Sequence, residues 1–340
     1  MPRIKAKIVA IKSHVPDHQL GNETLAEIGK WDADTIYQKT GFSVRRISGE
    51  KECASDLGVA AARKLFEHGH CTPEDIDFLL FCTQTPDYFL PASACLIQDR
   101  IGLKKTCGAL DFNLGCSGFV YGLALANGII ETGVATNLLL ITADTYTKFL
   151  HPSDFAVRAV FGDGAAATLI RGVEADYDAI GPFSFGTDGR GAQNLIVPAG
   201  GMRMPIAQDM PMECEAEPGT FRSPRNLRMD GPEIFSFTLK TIPGLVNGLL
   251  TKCEMSPADV DYYIFHQASR LVLGHLRKKL QIPEEKFCID LDTCGNTVSS
   301  TIPMCMEAAV EKGYLKQGDK VMLVGFGVGY SWGAAMVRFP

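Results

Sequence analysis

Two phrases in distant parts of the chain share one grammar: Thr72 opens TPEDIDFLLFCTQ and Ser256 opens SPADVDYYIFHQ. Each is a proline turn closed by an Asp, followed by an apolar, partly aromatic run that reads as a buried strand. An amphipathic helical segment precedes both, GVAAARKLFEHG in the first case and PGLVNGLLTKCE in the second. The echo continues through helix-like ASACLIQDRIGL and LVLGHLRKKLQI. It then reaches strand-like ALDFNLGC, ending at Cys116, and FCIDLDTCGN, ending at Asn296. Helices from Cys116 and Asn296 are expected to run to ETG, opened by Glu131, and EKG, opened by Glu311, a pair with the same spacing as Cys116 and Asn296. NLLLITAD and KVMLVGFG read as the next strands, and FGDGAAATLI and YSWGAAMVRF close the halves.

A chain that says everything twice folds as two related units. The reading is an α/β protein with an N-terminal half over 1–173 and a C-terminal half over 174–340. Strands alternating with helices predict mainly parallel sheets covered on both faces, with the two central helices buried against each other. The least repetitive stretch, 187–230, is rich in Gly, Pro and Met. It reads as a surface excursion that either borders a site entrance or merely packs.

Composition narrows the function classes. A net charge of −6 argues against nonspecific nucleic-acid binding, which needs a positive field. No apolar run approaches the ~18–20 residues of a membrane span, and the start MPRIKAKIVAIKSHVP alternates like a strand. Eleven cysteines are scattered without a C-x-x-C pair, so neither a disulfide scaffold nor a zinc site is indicated. No metal is expected, and a cytoplasmic protein with reduced thiols fits. The cluster His68-Gly69-His70-Cys71 ends a helical segment, where His commonly caps carbonyls.

Three residues fall where strands finish or helices begin, the places at which ligands gather in parallel sheets. Cys116, in GCSG, is expected at a helix start, where free N–H groups and the dipole lower a thiol pKa to roughly 3.5–7.5. His266 ends an apolar strand, and Asn296 precedes a helix. Each alone has an ordinary reading: a small buried hydrophobe, a core histidine, a helix cap. The repeat makes them converge.

The segments DFNLGCSGFVYGL, FHQAS and CGNTVSSTIP, with FGDGAAATLI and FGVGYSWGAAMVRF, resemble the motifs of β-ketoacyl-acyl-carrier-protein synthase III of the thiolase superfamily. The resemblance spans almost the whole chain. It implies a five-layer αβαβα thiolase-like fold, a homodimer, and acyl-CoA or acyl-carrier-protein thioesters as substrates, with no cofactor. It also implies an acyl-Cys116 intermediate, with backbone N–H groups of Cys116 and Val328 as oxyanion hole. His266 and Asn296 would stabilise a malonyl-derived enolate in a decarboxylating Claisen condensation.

The departures from the family lie at binding positions. Thr35 and Phe155 stand where well-known bacterial members place a Trp and an Arg around the adenine of coenzyme A; Trp31 and Arg158 lie nearby. Leu271 follows Arg270 where the family has Arg, Val328 replaces a usual Gly, and Leu90 occupies the place of a Phe that reaches into the partner subunit. A donor other than acetyl-CoA is therefore expected, with Arg270, Arg277, Lys278 and Lys279 as a docking face for an acidic carrier or simply a solvated helix face. The competing readings are an acyltransferase that passes the group to oxygen or nitrogen without condensation, and a catalytically silent scaffold. A papain-like hydrolase is disfavoured by the duplicated βα pattern.

Overall fold

The computed structural model describes residues 3–29, 31–211, 214–217 and 220–339. The repeat is visible in the two principal sheets. The first contains β1 (Arg3–His14), β2 (Phe78–Cys82), β3 (Gly108–Phe112), β4 (Asn137–Asp144) and β5 (Gly164–Ala175), in the order β1-β5-β4-β2-β3. The second contains β6 (Ile180–Thr187), β7 (Tyr262–Phe265), β8 (Lys320–Gly327) and β9 (Ser331–Arg338), in the order β6-β9-β8-β7. With β6 matched to β1, the two orders are the same except that the second sheet stops one strand short.

That missing strand corrects the expectation for FCIDLDTCGN. Phe287 alone bridges to the second sheet's strands, at Tyr263, Asn296 bridges instead to Phe161, and the stretch between them is irregular. The sheets are also mixed rather than mainly parallel. β2 pairs in parallel with β3 and β4, and β7 with β8, whereas β1–β5, β4–β5, β8–β9 and β6–β9 are antiparallel. The reason is plain for β8 and β9, which only Val328, Gly329 and Tyr330 join; so short a link can only reverse the chain.

The turns that announced the repeat are alike in atomic detail. Thr72 donates its N–H and hydroxyl to Asp75 Oδ2 at 2.8 and 2.9 Å, and Ser256 does the same to Asp259 Oδ2 at 2.8 and 2.7 Å. This reciprocal cap fixes the entry into β2 and β7.

Helices fill three layers around the sheets. On the outer face of the first sheet lie α1 (Ala54–Glu67) and α2 (Ser93–Arg100); on that of the second lie α4 (Gly231–Lys252) and α5 (Arg270–Lys279). Between the sheets sit α3 (Gly118–Glu131) and α6 (Thr301–Glu311), each touching strands of both. A helix enclosed by two sheets must be apolar almost all round, as GFVYGLALANGII is. Phe119, Leu123 and Ile130 of α3 and Ile302 and Met306 of α6 join Leu80, Leu140, Ile264 and Leu323 in one buried cluster. Gly122 lets α3 approach β4, since a Cβ there would come within 2.8 Å of Leu140. The αβαβα layering expected from the resemblance is the architecture observed.

Candidate active site

Cys116 lies beyond β3, in the short link to α3. Gly118 N–H donates to Gly115 O at 2.7 Å and Tyr121 N–H to Ser117 O at 3.2 Å, so the helix begins at Gly118 with Ser117 as its cap. The thiol therefore sits just before the helix rather than on its first residue. It is 4% exposed and packs with Tyr146, Phe161, Leu195, Leu227 and Val298. Burial, helped by the Asp144 carboxylate, pushes its pKa up to about 12. The backbone N–H groups of Val328 and of Cys116 itself pull the other way. The expected low-pKa thiolate is thus overturned in the free protein, because desolvation outweighs the nearby N–H dipoles. A Cβ on Gly327 would approach Cys116 Sγ to 2.8 Å, so glycine there gives the thiol its room.

His266 follows β7 and is fixed by its own N–H, which donates to Val324 O at 2.8 Å. Its ring is buried edge-on to Phe326, and burial drives its pKa down to about 3, so it is neutral at physiological pH. Nδ1 lies 2.7 Å from Thr301 Oγ1. Asn296 is held by the backbone: its N–H donates to Val160 O at 2.9 Å and its carbonyl accepts from Gly162 at 3.1 Å. Its side-chain Oδ1 accepts the Val298 N–H at 2.9 Å, which turns Nδ2 towards His266 Nε2, 3.4 Å away. Val298 has φ of 57°, a left-handed conformation rare for a β-branched residue. Such strain persists where surrounding contacts demand it; here it both orients Asn296 and places Val298 in the apolar cluster around Cys116.

The segment 187–230 does more than border this pocket. Leu195 and Leu227 are buried against Cys116's neighbours, with Val197 and Met229 packed beside them, and Leu195–Ile196 pairs with Arg228–Met229. Val298, Thr301, Leu195 and Leu227 were not singled out by the sequence. Val298 and Thr301 lie in CGNTVSSTIP, where their proximity to Asn296 was the signal; Leu195 and Leu227 belong to no repeated or reactive motif.

The binding positions are arranged less simply. Thr35 lies in the first turn of Ala33–Thr40, its N–H donating to Asp32 Oδ1 at 2.7 Å. Trp31 meets Phe155 edge-on at 5.3 Å, with Lys39 Nζ 3.7 Å over its ring. Arg158 turns away to donate to Pro152 O at 2.6 Å, so Trp31 and Phe155 form an aromatic pair without a guanidinium partner from that residue. Arg270 donates to Tyr37 Oη at 3.0 Å. Of the other cations on that helix, Arg277 pairs with Glu284 and Lys279 donates to Leu239 O. Leu90 is 82% exposed, beside exposed Tyr88 and Phe89. His68, at the end of α1, sets Nδ1 2.7 Å from Lys64 O, the helix-end contact expected of it.

Comparison with known proteins decides the family. The family profile of 3-oxoacyl-[acyl-carrier-protein (ACP)] synthase III matches residues 110–189, and that of its C-terminal part matches 250–339. The chain is 33% identical to the β-ketoacyl-[acyl-carrier-protein] synthase III of Caldanaerobacter subterraneus over 337 residues, 99% of this chain and 98% of that one. It is 35% identical to that of Clostridioides difficile, covering 98% of each. A crystal structure of a 3-oxoacyl-(acyl-carrier-protein) synthase III superposes with a TM-score of 0.97 at 48% identity, covering 98% of this chain and 100% of the other. The synthase of Burkholderia xenovorans gives 0.89 at 35%, covering 100% and 95%.

The chain belongs to the β-ketoacyl-acyl-carrier-protein synthase III family. No helix among the described residues is long and apolar enough to cross a membrane.

Proposed function

We propose that this β-ketoacyl-acyl-carrier-protein synthase III family member condenses an acyl thioester with a malonyl thioester, with loss of carbon dioxide, through acyl-Cys116. The observation that carries the reading is that Asn296 Nδ2 stands beside His266 Nε2, 3.4 Å away, since simple acyl transfer needs no second donor beside the imidazole. In the first half-reaction Sγ bonds to the donor's carbonyl carbon, the carbon–sulfur bond to the carrier breaks, and the thiol proton leaves with the carrier thiol. The N–H groups of Cys116 and Val328 hold the oxygen that becomes negative.

In the second half-reaction the malonyl carboxylate leaves as carbon dioxide. The electron pair passes to the thioester oxygen, where His266 and Asn296 stabilise the enolate. Its carbon then bonds to the acyl carbon and the Cys116–acyl bond breaks. The released thiolate takes up one proton, a step strongly favoured for a group whose pKa is about 12. A neutral His266 suits this role, since it stabilises the oxygen by hydrogen bonding without needing to be charged.

The apolar lining of Cys116 suits an acyl chain, and the Trp31–Phe155 pair departs from a Trp–Arg adenine clamp. A donor longer than acetyl, or one delivered on a carrier protein, follows. CoA or carrier thioesters act as substrates and no resident cofactor is invoked. A second copy of the chain is the proposed partner, seated on the open edge of β3 and the exposed Tyr88-Phe89-Leu90 tip. The test is a panel of acyl-CoA and acyl-carrier donors offered with malonyl-carrier acceptor, with products identified by mass. Longer or carrier-borne donors should give β-ketoacyl products fastest; acetyl-CoA loading Cys116 at least as readily would sink the donor assignment.

A further inference from the structure

A carbonyl oxygen gains most from His266 if Nε2 carries the proton, because a bare nitrogen would repel it. Which nitrogen is protonated depends on what faces the other one. Among the described residues, Nδ1 faces a hydroxyl, Thr301 Oγ1, at 2.7 Å. That hydroxyl has a single proton and a competing acceptor, Val298 O, at 3.2 Å.

Two self-consistent arrangements exist. In one, Nδ1–H donates to Thr301, Thr301 donates to Val298 O, and Asn296 Nδ2–H donates to a bare Nε2. In the other, Thr301 donates to Nδ1, and Nε2–H and Nδ2–H stand side by side as two donors. The distances separate them. The Asn296–His266 gap of 3.4 Å is long for a donor and acceptor, whose separation is about 2.7–3.2 Å, and suits two donors that cannot bond each other. The Thr301–His266 contact is the shorter of the two available to the hydroxyl. Asn296 cannot resolve the matter by turning over, since its Oδ1 is held by the Val298 N–H.

We propose that Thr301 is a positioning residue that holds His266 as its Nε2–H form, so that it and Asn296 present two converging N–H donors to one thioester oxygen. The inference rests on the condensation reading for its consequence, though not for its geometry. Thr301 is the first residue of α6 and 4% exposed, so the central helix itself sets the hydroxyl against the ring.

The test uses the full chain with nitrogen-15 histidine, the His266 signals being those lost in His266→Gln. Wild type and Thr301→Ser should show the Nε2–H form near neutral pH, whereas Thr301→Val should lose that preference. Malonyl decarboxylation should fall ~10- to 100-fold in kcat for Thr301→Val, a loss like that of one oxyanion donor or less. KM and acyl loading of Cys116 should barely change, and Thr301→Ser should restore most of the rate. An Nδ1–H form in wild type overturns the proposal. So does a Thr301→Val enzyme that decarboxylates at the wild-type rate, one that also fails to load acyl groups, or a Thr301→Ser enzyme equally impaired. A wild-type protein with a Thr301-dependent Nε2–H form that releases no carbon dioxide upholds the tautomer assignment and sinks the condensation reading instead.

Discussion

The ends of β2 and β7 are equivalent positions in the two halves, yet one carries Cys82 and the other His266. Cys82 is fully buried, and its thiol donates to Leu114 O at 3.2 Å, bracing the link that presents Cys116. His266 instead turns its ring to Thr301 and Asn296. The next element differs as well. The first half builds β3 and delivers Cys116 from it; the second half leaves the matching stretch irregular and stitches Asn296 to Val160 and Gly162 of the first half. Duplication supplied the frame, and the site lies where the copies stopped matching.

Cysteine substitutions break this comparison most sharply. Cys116→Ala should give no acyl adduct by intact mass, whereas Cys82→Ala should still load and only lose stability, by about 1–3 kcal/mol in denaturant melts. Asn296→Ala should load acyl groups normally while carbon dioxide release from malonyl thioester drops roughly 10²–10³-fold, the scale of one lost oxyanion donor. If loading falls in parallel, Asn296 is structural.

The seam between the halves gives the third expectation. A Cβ at Gly162 would overlap the Cys294 carbonyl and lie 3.3 Å from Arg46 N, both backbone atoms that cannot step aside. Gly162→Ala should cost ~3 kcal/mol or more. Gly128→Ala, on an exposed flank of α3 with nothing within 4 Å, should instead stabilise by about 0.5–1 kcal/mol. Equal melting temperatures for the two variants would contradict the seam.

The last expectation concerns pH. His266 has a folded pKa of about 3 against 6.5 when free. Between those values the unfolded chain binds a proton that the folded one refuses. The stability present above pH 6.5 therefore declines as pH falls towards 3. His266→Gln should flatten that acid limb, as read from melting temperature against pH.

The sequence revealed the layers and the paired turns, because each follows from short-range patterns that the duplication repeated, and the same repeat singled out Cys116, His266 and Asn296. It expected mainly parallel sheets, whereas the short turn before β9 reverses the chain there. It predicted a strand at FCIDLDTCGN as the echo of ALDFNLGC, although only Phe287 bridges to its own half and the end of the loop, Asp292 to Asn296, is held by the backbone of the other half. The Cys116 environment was also misread. A helix nearby is legible in GCSG, but the desolvation by Leu195, Leu227 and Val298 comes from distant parts of the chain. Thr301 carried only its place in CGNTVSSTIP close to Asn296, and a hydroxyl there has many ordinary uses.

The most direct test of the account is a single turnover. Protein loaded at Cys116, freed of excess donor, is mixed with malonyl-carrier labelled with carbon-14 in the free carboxyl group. The account predicts one labelled carbon dioxide released for each acyl group lost from Cys116, with a β-ketoacyl product of matching mass. Acyl groups leaving Cys116 for water, an alcohol or an amine with no labelled carbon dioxide would contradict it.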